Sequence, residues 1–205
     1  MKLSPSVHTS KFLVVCLFAL FSFLSLGGCQ NYDKLVEKDQ VCEQKWGDLG
    51  AALQRRADLV PNLVETVKAA AKKEDETITK VTEARASATG IKLSGEDLTD
   101  PAKVEAFQKA QDQLRGSLSR LLVASESYPQ LQSQGGFHDL RVQLEGTENR
   151  ILRSREQYNE AVKDFNTELG KISGQVVNKA TGKPFKARVY FAASAESQVA
   201  PKVSF

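Results

Sequence analysis

From Asn31 onward, apolar residues recur at alternating spacings of three and four. Cys42, Trp46, Leu49 and Leu53 are followed by Val60, Leu63, Val67 and Ala70, then by Ile78 and Val81. Such spacings put side chains on one face of a helix, so the pattern predicts an amphipathic helix packed along one seam. It persists from about Tyr32 to about Ala88, a length that belongs to bundles and coiled coils rather than to ordinary globular helices. Two slots on the register are polar, Arg56 and Glu74. Pro61 also interrupts the run, and a proline removes one backbone donor and crowds the carbonyl four residues back. A kink between Ala57 and Pro61 is expected, because the stripe keeps its register across the proline. The alternative is a true break there, with Asp58 or a neighbour capping a second helix.

Residues 89–100 (TGIKLSGEDLTD) hold two glycines and no periodicity, and read as a loop. Asp100-Pro101 supplies a capping side chain and a first-turn proline, a strong helix start. The helix that follows carries Val104, Phe107, Gln111, Leu114, Leu118, Leu121 and Leu122 and stops before Pro129. After a glycine-containing link at 132–136, a third helix shows Phe137, Leu140, Leu144, Ile151, Tyr158, Val162, Phe165 and Leu169, with Glu148 and Arg155 in its seam. Short links imply antiparallel neighbours. Trp46, Tyr128 and Tyr158 are read as core and cap residues. Beyond residue 170 the segments SGQVV and KARVYF are β-branched and aromatic, separated by Gly182 and Pro184, and suggest a short hairpin or an extended tail. The predicted fold is therefore all-α: a long-helix antiparallel bundle at 29–170 with a kinked first helix, and an extended or β-hairpin tail at 171–205 packing on it.

The first 28 residues read as a separate device. Lys2 and Lys11 precede an apolar core, FLVVCLFALFSFLSL, from Phe12 to Leu26, and Gly27-Gly28 lead to Cys29. Charge, a short apolar run and small residues are the marks of a secretory signal peptide. The core is about 15 residues, short of the roughly 20 that span a hydrocarbon layer. Leu26-Gly27-Gly28-Cys29 resembles a bacterial lipobox, in which the cysteine is lipidated and becomes the first mature residue. Several acyl chains on Cys29 would anchor the chain stably, as one chain would not. Gln30, rather than Asp, follows the cysteine, which by analogy with Gram-negative sorting favours the outer over the inner membrane. An uncleaved transmembrane anchor and plain secretion are the alternatives.

Charge adds little. The net charge is +3, and loss of residues 1–28 removes Lys2 and Lys11 but no acid, leaving +1. A near-neutral chain gives no overall electrostatic case for nucleic acid or for anionic lipid. Cys16, Cys29 and Cys42 form no CxxC and no zinc-type spacing, so neither a disulfide framework nor a metal site is expected.

No catalytic motif stands out. His138 starts a helix, no glycine-rich phosphate loop is present, and no carboxylates fall at the Glu-x-x-His spacing of di-iron bundles. No catalytic residues and no cofactor are therefore assigned. What remains is a polar set on or beside the seams: Arg55, Arg56, Asp58, Glu74 and Arg85 early in the chain, then Glu145, Glu148, Arg155 and Asn159. Charges in a core are costly unless paired. One reading has Arg55 or Arg56 meet Glu148, and Asp58 or Glu74 meet Arg155, fixing helix register. Solvated faces at the bundle's edge, and a polar pocket for a ligand or a reaction, are the others.

Several blocks resemble the LemA family. They are RRADLVPNLVETVK (Arg55 to Lys68), EARA (Glu83 to Ala86), ESYPQL (Glu126 to Leu131), FHDLRVQLEGTENRI (Phe137 to Ile151) and RSREQYNEAVKDFN (Arg153 to Asn166), with terminal YF (Tyr190-Phe191) and APKVSF (Ala200 to Phe205). The resemblance runs in order through nearly all of residues 31–205. It implies an N-terminal membrane anchor followed by a periplasmic or extracytoplasmic helical bundle, and brings no established catalytic activity or cofactor. The lipobox departs from the uncleaved anchor of most members, and residues 172–183 depart from the usual linker. The expected role is a non-enzymatic interaction or scaffold protein of the cell envelope, facing the periplasm. Its partners would be membrane lipid through acylated Cys29 and an envelope protein, with lateral self-assembly as a further option. A ligand binder or enzyme using the polar seam is the alternative.

Overall fold

A computed structural model gives the helical backbone of residues 6–29 and a full description of residues 30–70, 74–180, 182 and 184–191, the side chain of Val177 apart. Among the described residues the chain is all-α, with no strand. The helices are α1 (Ser6–Ala70), α2 (Asp75–Gly90), α3 (Pro101–Ser125), α4 (Pro129–Gln132), α5 (Gly135–Gly170) and α6 (Ile172–Ala180). They build two compact units. The larger contains residues 41–163 and 188–191, the smaller residues 30–40 and 164–187. Among the fully described residues no helix is long and apolar enough to cross a membrane.

The larger unit is an up-down-up-down bundle of α1, α2, α3 and α5, and side-chain pairings give the directions. Lys45 reaches Gln157 while Arg55 reaches Gln143, so α1 and α5 run antiparallel. Gln111 reaches the Ala88 carbonyl and Tyr128 reaches Glu74, so α2 and α3 run antiparallel as well. Leu63, Val67, Val81, Leu114, Leu121 and Phe137 are buried at the centre. Each such side chain stabilises the fold by about 1.5–3 kcal/mol relative to exposure.

The single helix expected over 32–88 is thus two helices. α1 ends at Ala70 and α2 starts at Asp75, while helical backbone continues through Pro61. A break at Pro61 is overturned; α1 runs about two and a half turns further before it ends. The intervening sequence, Ala and Lys followed by acids, has high helix propensity and gave no stop signal. Glu74, one of the two polar slots on the register, stands at the N-terminus of α2, where a carboxylate suits the positive end of the helix. The stripe resumes in phase in α2 by coincidence of spacing, and that concealed the reversal.

Other boundaries follow their local chemistry. The Asp100 carboxylate accepts from Ala102 N at 2.9 Å and Lys103 N at 3.5 Å, capping α3 at Pro101. Pro129 opens α4, where its missing donor costs nothing.

The tail departs from the hairpin. Residues 172–180, expected as a strand, form α6, and residues 184–191 are extended without a sheet partner. β-Propensity is decided by tertiary contacts. Here Gly174 packs so close to α5 that a Cβ would strike the Glu168 carbonyl. Asn178 holds the backbone of Phe185, accepting from its N–H at 2.5 Å and donating to its carbonyl at 2.9 Å. The Phe185 ring then lies 6.0 Å from both Tyr32 and Phe165, closing the smaller unit.

Candidate functional site

Arg56 is the only charged residue of α1 on the buried seam among the described residues, at 2% exposure. Its Nη1 donates to Glu148 Oε1 of α5 at 3.0 Å. Its Nη2 donates to the Gln111 carbonyl at 3.2 Å and to Gln111 Oε1 of α3 at 2.7 Å. Gln111 Nε2 in turn donates to the Ala88 carbonyl near the end of α2, at 3.0 Å. That carbonyl is one of the last four in its helix, which lack an intrahelical donor. One guanidinium and one amide therefore tie four helices together at a single level. Arg56 Nε is buried without a hydrogen-bond partner.

The remaining sequence-derived residues lie around this junction or away from it. Arg55 is exposed and donates to Gln143 at 3.2 Å. Exposed Asp58 accepts from Gln54 at 2.7 Å. Glu74 accepts from Tyr128 Oη at 2.9 Å and Thr77 Oγ1 at 3.2 Å, and the bond to this carboxylate pushes the Tyr128 phenol up. The pairing of Asp58 or Glu74 with Arg155 is therefore corrected. Because the chain reverses after α1, Glu74 comes to the Tyr128 end of α3 instead of the level of Arg155. Arg85 donates from Nε to the Ala57 carbonyl at 2.8 Å. Cys29 lies where only the helical backbone is described, so its modification falls outside the structure.

Beside the junction opens a cleft of about 450 Å³, lined by Arg56, Arg115, Arg155, Asp112, Glu148 and Phe191 among others. Arg115 and Arg155 have no hydrogen bond or ion pair among the described residues. A smaller hollow of about 220 Å³ is bounded by Trp46, Ala57, Ala88, Phe107 and Gln111. Among the described residues no group of three His, Cys, Asp or Glu side chains could hold a metal ion.

The tail closes one end of the cleft. Arg188, 5% exposed, reaches Glu43 at 3.4 Å. Val189 N donates to the Leu98 carbonyl at 2.8 Å and Tyr158 Oη donates to the Val189 carbonyl at 3.1 Å. Asn159 accepts from Phe191 N at 2.8 Å and donates to its carbonyl at 2.9 Å. Phe191 thereby joins Trp46, Phe107 and Tyr158, with ring centroids 5.4–6.2 Å from Trp46. Burial pushes the Tyr158 phenol up, with Arg188 opposing. Gln111 and Arg188 were not singled out from sequence. Gln111 did interrupt the apolar stripe of α3, whereas Arg188 sits in a strand-like run that gave no sign of burial.

Arg56 and Glu148, the ion pair of the polar tie, fall in the blocks Arg55 to Lys68 and Phe137 to Ile151. The sequence profile described as the LemA family matches residues 45–205. The chain belongs to the LemA family. It is similar to the magnetosome proteins MamQ 1 and MamQ 2 of Paramagnetospirillum magneticum, each 26% identical over 195 residues, covering 87% of this chain and 71% of the relative. The LemA family is not known as enzymatic, so the match assigns no reaction to the Arg56 junction.

Proposed function

We propose that this LemA-family chain is a periplasm-facing envelope lipoprotein, held by acylated Cys29 and acting as a scaffold that presents helix faces to an envelope protein. The outer membrane is favoured, since Gln30 follows the cysteine. The observation that carries the scaffold reading is the commitment of Arg56. Both of its terminal nitrogens serve Glu148 and Gln111, so the most deeply buried charge of the seam holds helices in register. A buried polar group used this way gives specificity of packing. Long helices also present extended surface without needing a pocket.

The experiment has two parts. Mass measurement of the mature N-terminus should give a triacylated or diacylated Cys29, and Cys29→Ser should release the chain from membranes. Photo-crosslinking from exposed α3 and α5 positions in intact cells should then give one reproducible envelope partner in the wild type. An unprocessed N-terminus refutes the lipoprotein, and absence of a reproducible partner refutes the scaffold.

A second reading rests on the cleft. Arg115 and Arg155 present unpaired guanidiniums beside an apolar wall that includes Ile151 and Leu152, a setting for a small carboxylate or phosphate ligand. Calorimetric titration of citrate and inorganic phosphate against the wild type and Arg155→Met tests it. Equal heats for both proteins would dismiss it.

A further inference from the structure

Among its described side chains, helix α6 turns its apolar residues outward. In water a surface helix turns its apolar residues inward and its polar ones outward. In α6 the residue pressed against α5 is Gly174, and half-buried Asn178 faces the Phe185 backbone. Ile172 and Val176, one turn apart and hence on one face, are 84% and 63% exposed, and Ala180 continues that edge outward. The close backbone approach at Gly174 fixes this orientation, because any side chain there would strike the Glu168 carbonyl. The apolar edge is therefore imposed by the packing of the smaller unit.

Charge and position indicate what covers it. From Leu169 to Ala187 the sequence holds four lysines, Lys171, Lys179, Lys183 and Lys186, and no acid. Lys171 pairs with Glu168, whereas Lys179 and Lys186 are exposed. The segment also lies at the level of the anchor. Asn178 binds Phe185, the Phe185 ring lies 6.0 Å from Tyr32, and Tyr32 is three residues, or about 4.5 Å of helix axis, beyond Cys29. We infer that the Ile172–Val176 edge of α6 rests in the headgroup layer of an anionic lipid bilayer, with Lys179 and Lys186 on phospholipid phosphates. An apolar edge flanked by lysines is the pattern of a helix lying in a membrane interface. The inference rests on the anchored reading above and adds a second, reversible contact to it.

The test uses the full chain reconstituted into vesicles of phosphatidylethanolamine and phosphatidylglycerol with brominated acyl chains. Trp46 is the one tryptophan, so the wild type gives the baseline and Val176→Trp adds one reporter at an exposed site. The added emission should shift to the blue and be quenched by the brominated lipid, while the wild-type emission is not. Lys179→Glu with Lys186→Glu in the Val176→Trp background should remove the quenching and leave flotation with the vesicles intact. Flotation without quenching of the added tryptophan overturns this inference and leaves the anchor standing. A blue shift without lipid quenching overturns it too, because a protein surface would then be the cover. Failure to float overturns both.

Discussion

Arg85 donates its Nε to the Ala57 carbonyl, the one acceptor in α1 that Pro61 leaves without its helical donor. Ala57 is four residues before Pro61, so in an ordinary helix the amide of residue 61 would fill it. The returning helix α2 supplies the missing bond at 2.8 Å, with a charged donor in a partly buried site. A local defect of one helix thus becomes a point of attachment for its neighbour.

That attachment predicts a coupling. Arg85→Met should destabilise the chain by about 1–3 kcal/mol, since it leaves a buried carbonyl unsatisfied. In a Pro61→Ala background, where residue 61 donates to Ala57 again, the same change should cost clearly less. Urea unfolding of the four proteins of this cycle measures the difference. Equal costs in both backgrounds would show that Arg85 acts elsewhere.

At the central junction, Glu148→Gln should cost about 2 kcal/mol, because buried Arg56 loses its counter-charge. Replacing Arg56 and Glu148 together by Met and Leu, with Gln111 kept to serve the Ala88 carbonyl, should restore most of that loss, since a buried ion pair offsets little of its own desolvation. The measured quantity is the thermal midpoint. A Glu148→Gln midpoint equal to wild type would mean the pair contributes nothing.

Asn159 predicts a change in protease access. Asn159→Ala removes both bonds to the Phe191 backbone, so trypsin should cut after Arg188 about tenfold faster, corresponding to about 1.4 kcal/mol of lost local stability. Cleavage within α3 serves as the internal control and should not change.

The α2–α3 loop should be acid-sensitive. The Asp97 carboxyl is held well below its ordinary value of 3.8, first by the Lys103 ammonium and then by the Ser94 hydroxyl and amide. A carboxyl depressed by folding contributes stability that is present above about pH 3.8 and is lost as pH falls below it. The protection of the Ser94 amide, taken relative to the intrinsic exchange rate at each pH, should therefore fall below that pH in the wild type. In Asp97→Asn the protection should already be low at neutral pH and show no such step.

The seams, the Asp100 cap and the loop at 89–100 were legible because each carries a local signal. Arg56 and Glu148 stood out as charges on apolar registers, and the structure joins them at 3.0 Å. The reversal between Ala70 and Asp75 was not legible. Its residues favour helix, and the stripe resumes in phase. Nor was α6, since valine and isoleucine suggest a strand until Gly174 meets the Glu168 carbonyl and Asn178 meets Phe185. In both places specific packing contacts overrode local preference: Tyr128 with Glu74 at the reversal, and the close approach of Gly174 to Glu168 with the Asn178–Phe185 bonds at α6.

The manner in which Val189 to Phe191 are held bears on self-association. The Val189 and Phe191 amides and carbonyls are all occupied, by Leu98, Tyr158 and Asn159, and Gln108 takes the Tyr190 carbonyl at 3.2 Å. Extended backbone with vacant donors and acceptors is a template onto which another polypeptide can zip. Here the host bundle has filled five of the six backbone groups beforehand, so little of this β-prone stretch is left to seed a fibril while the bundle is folded.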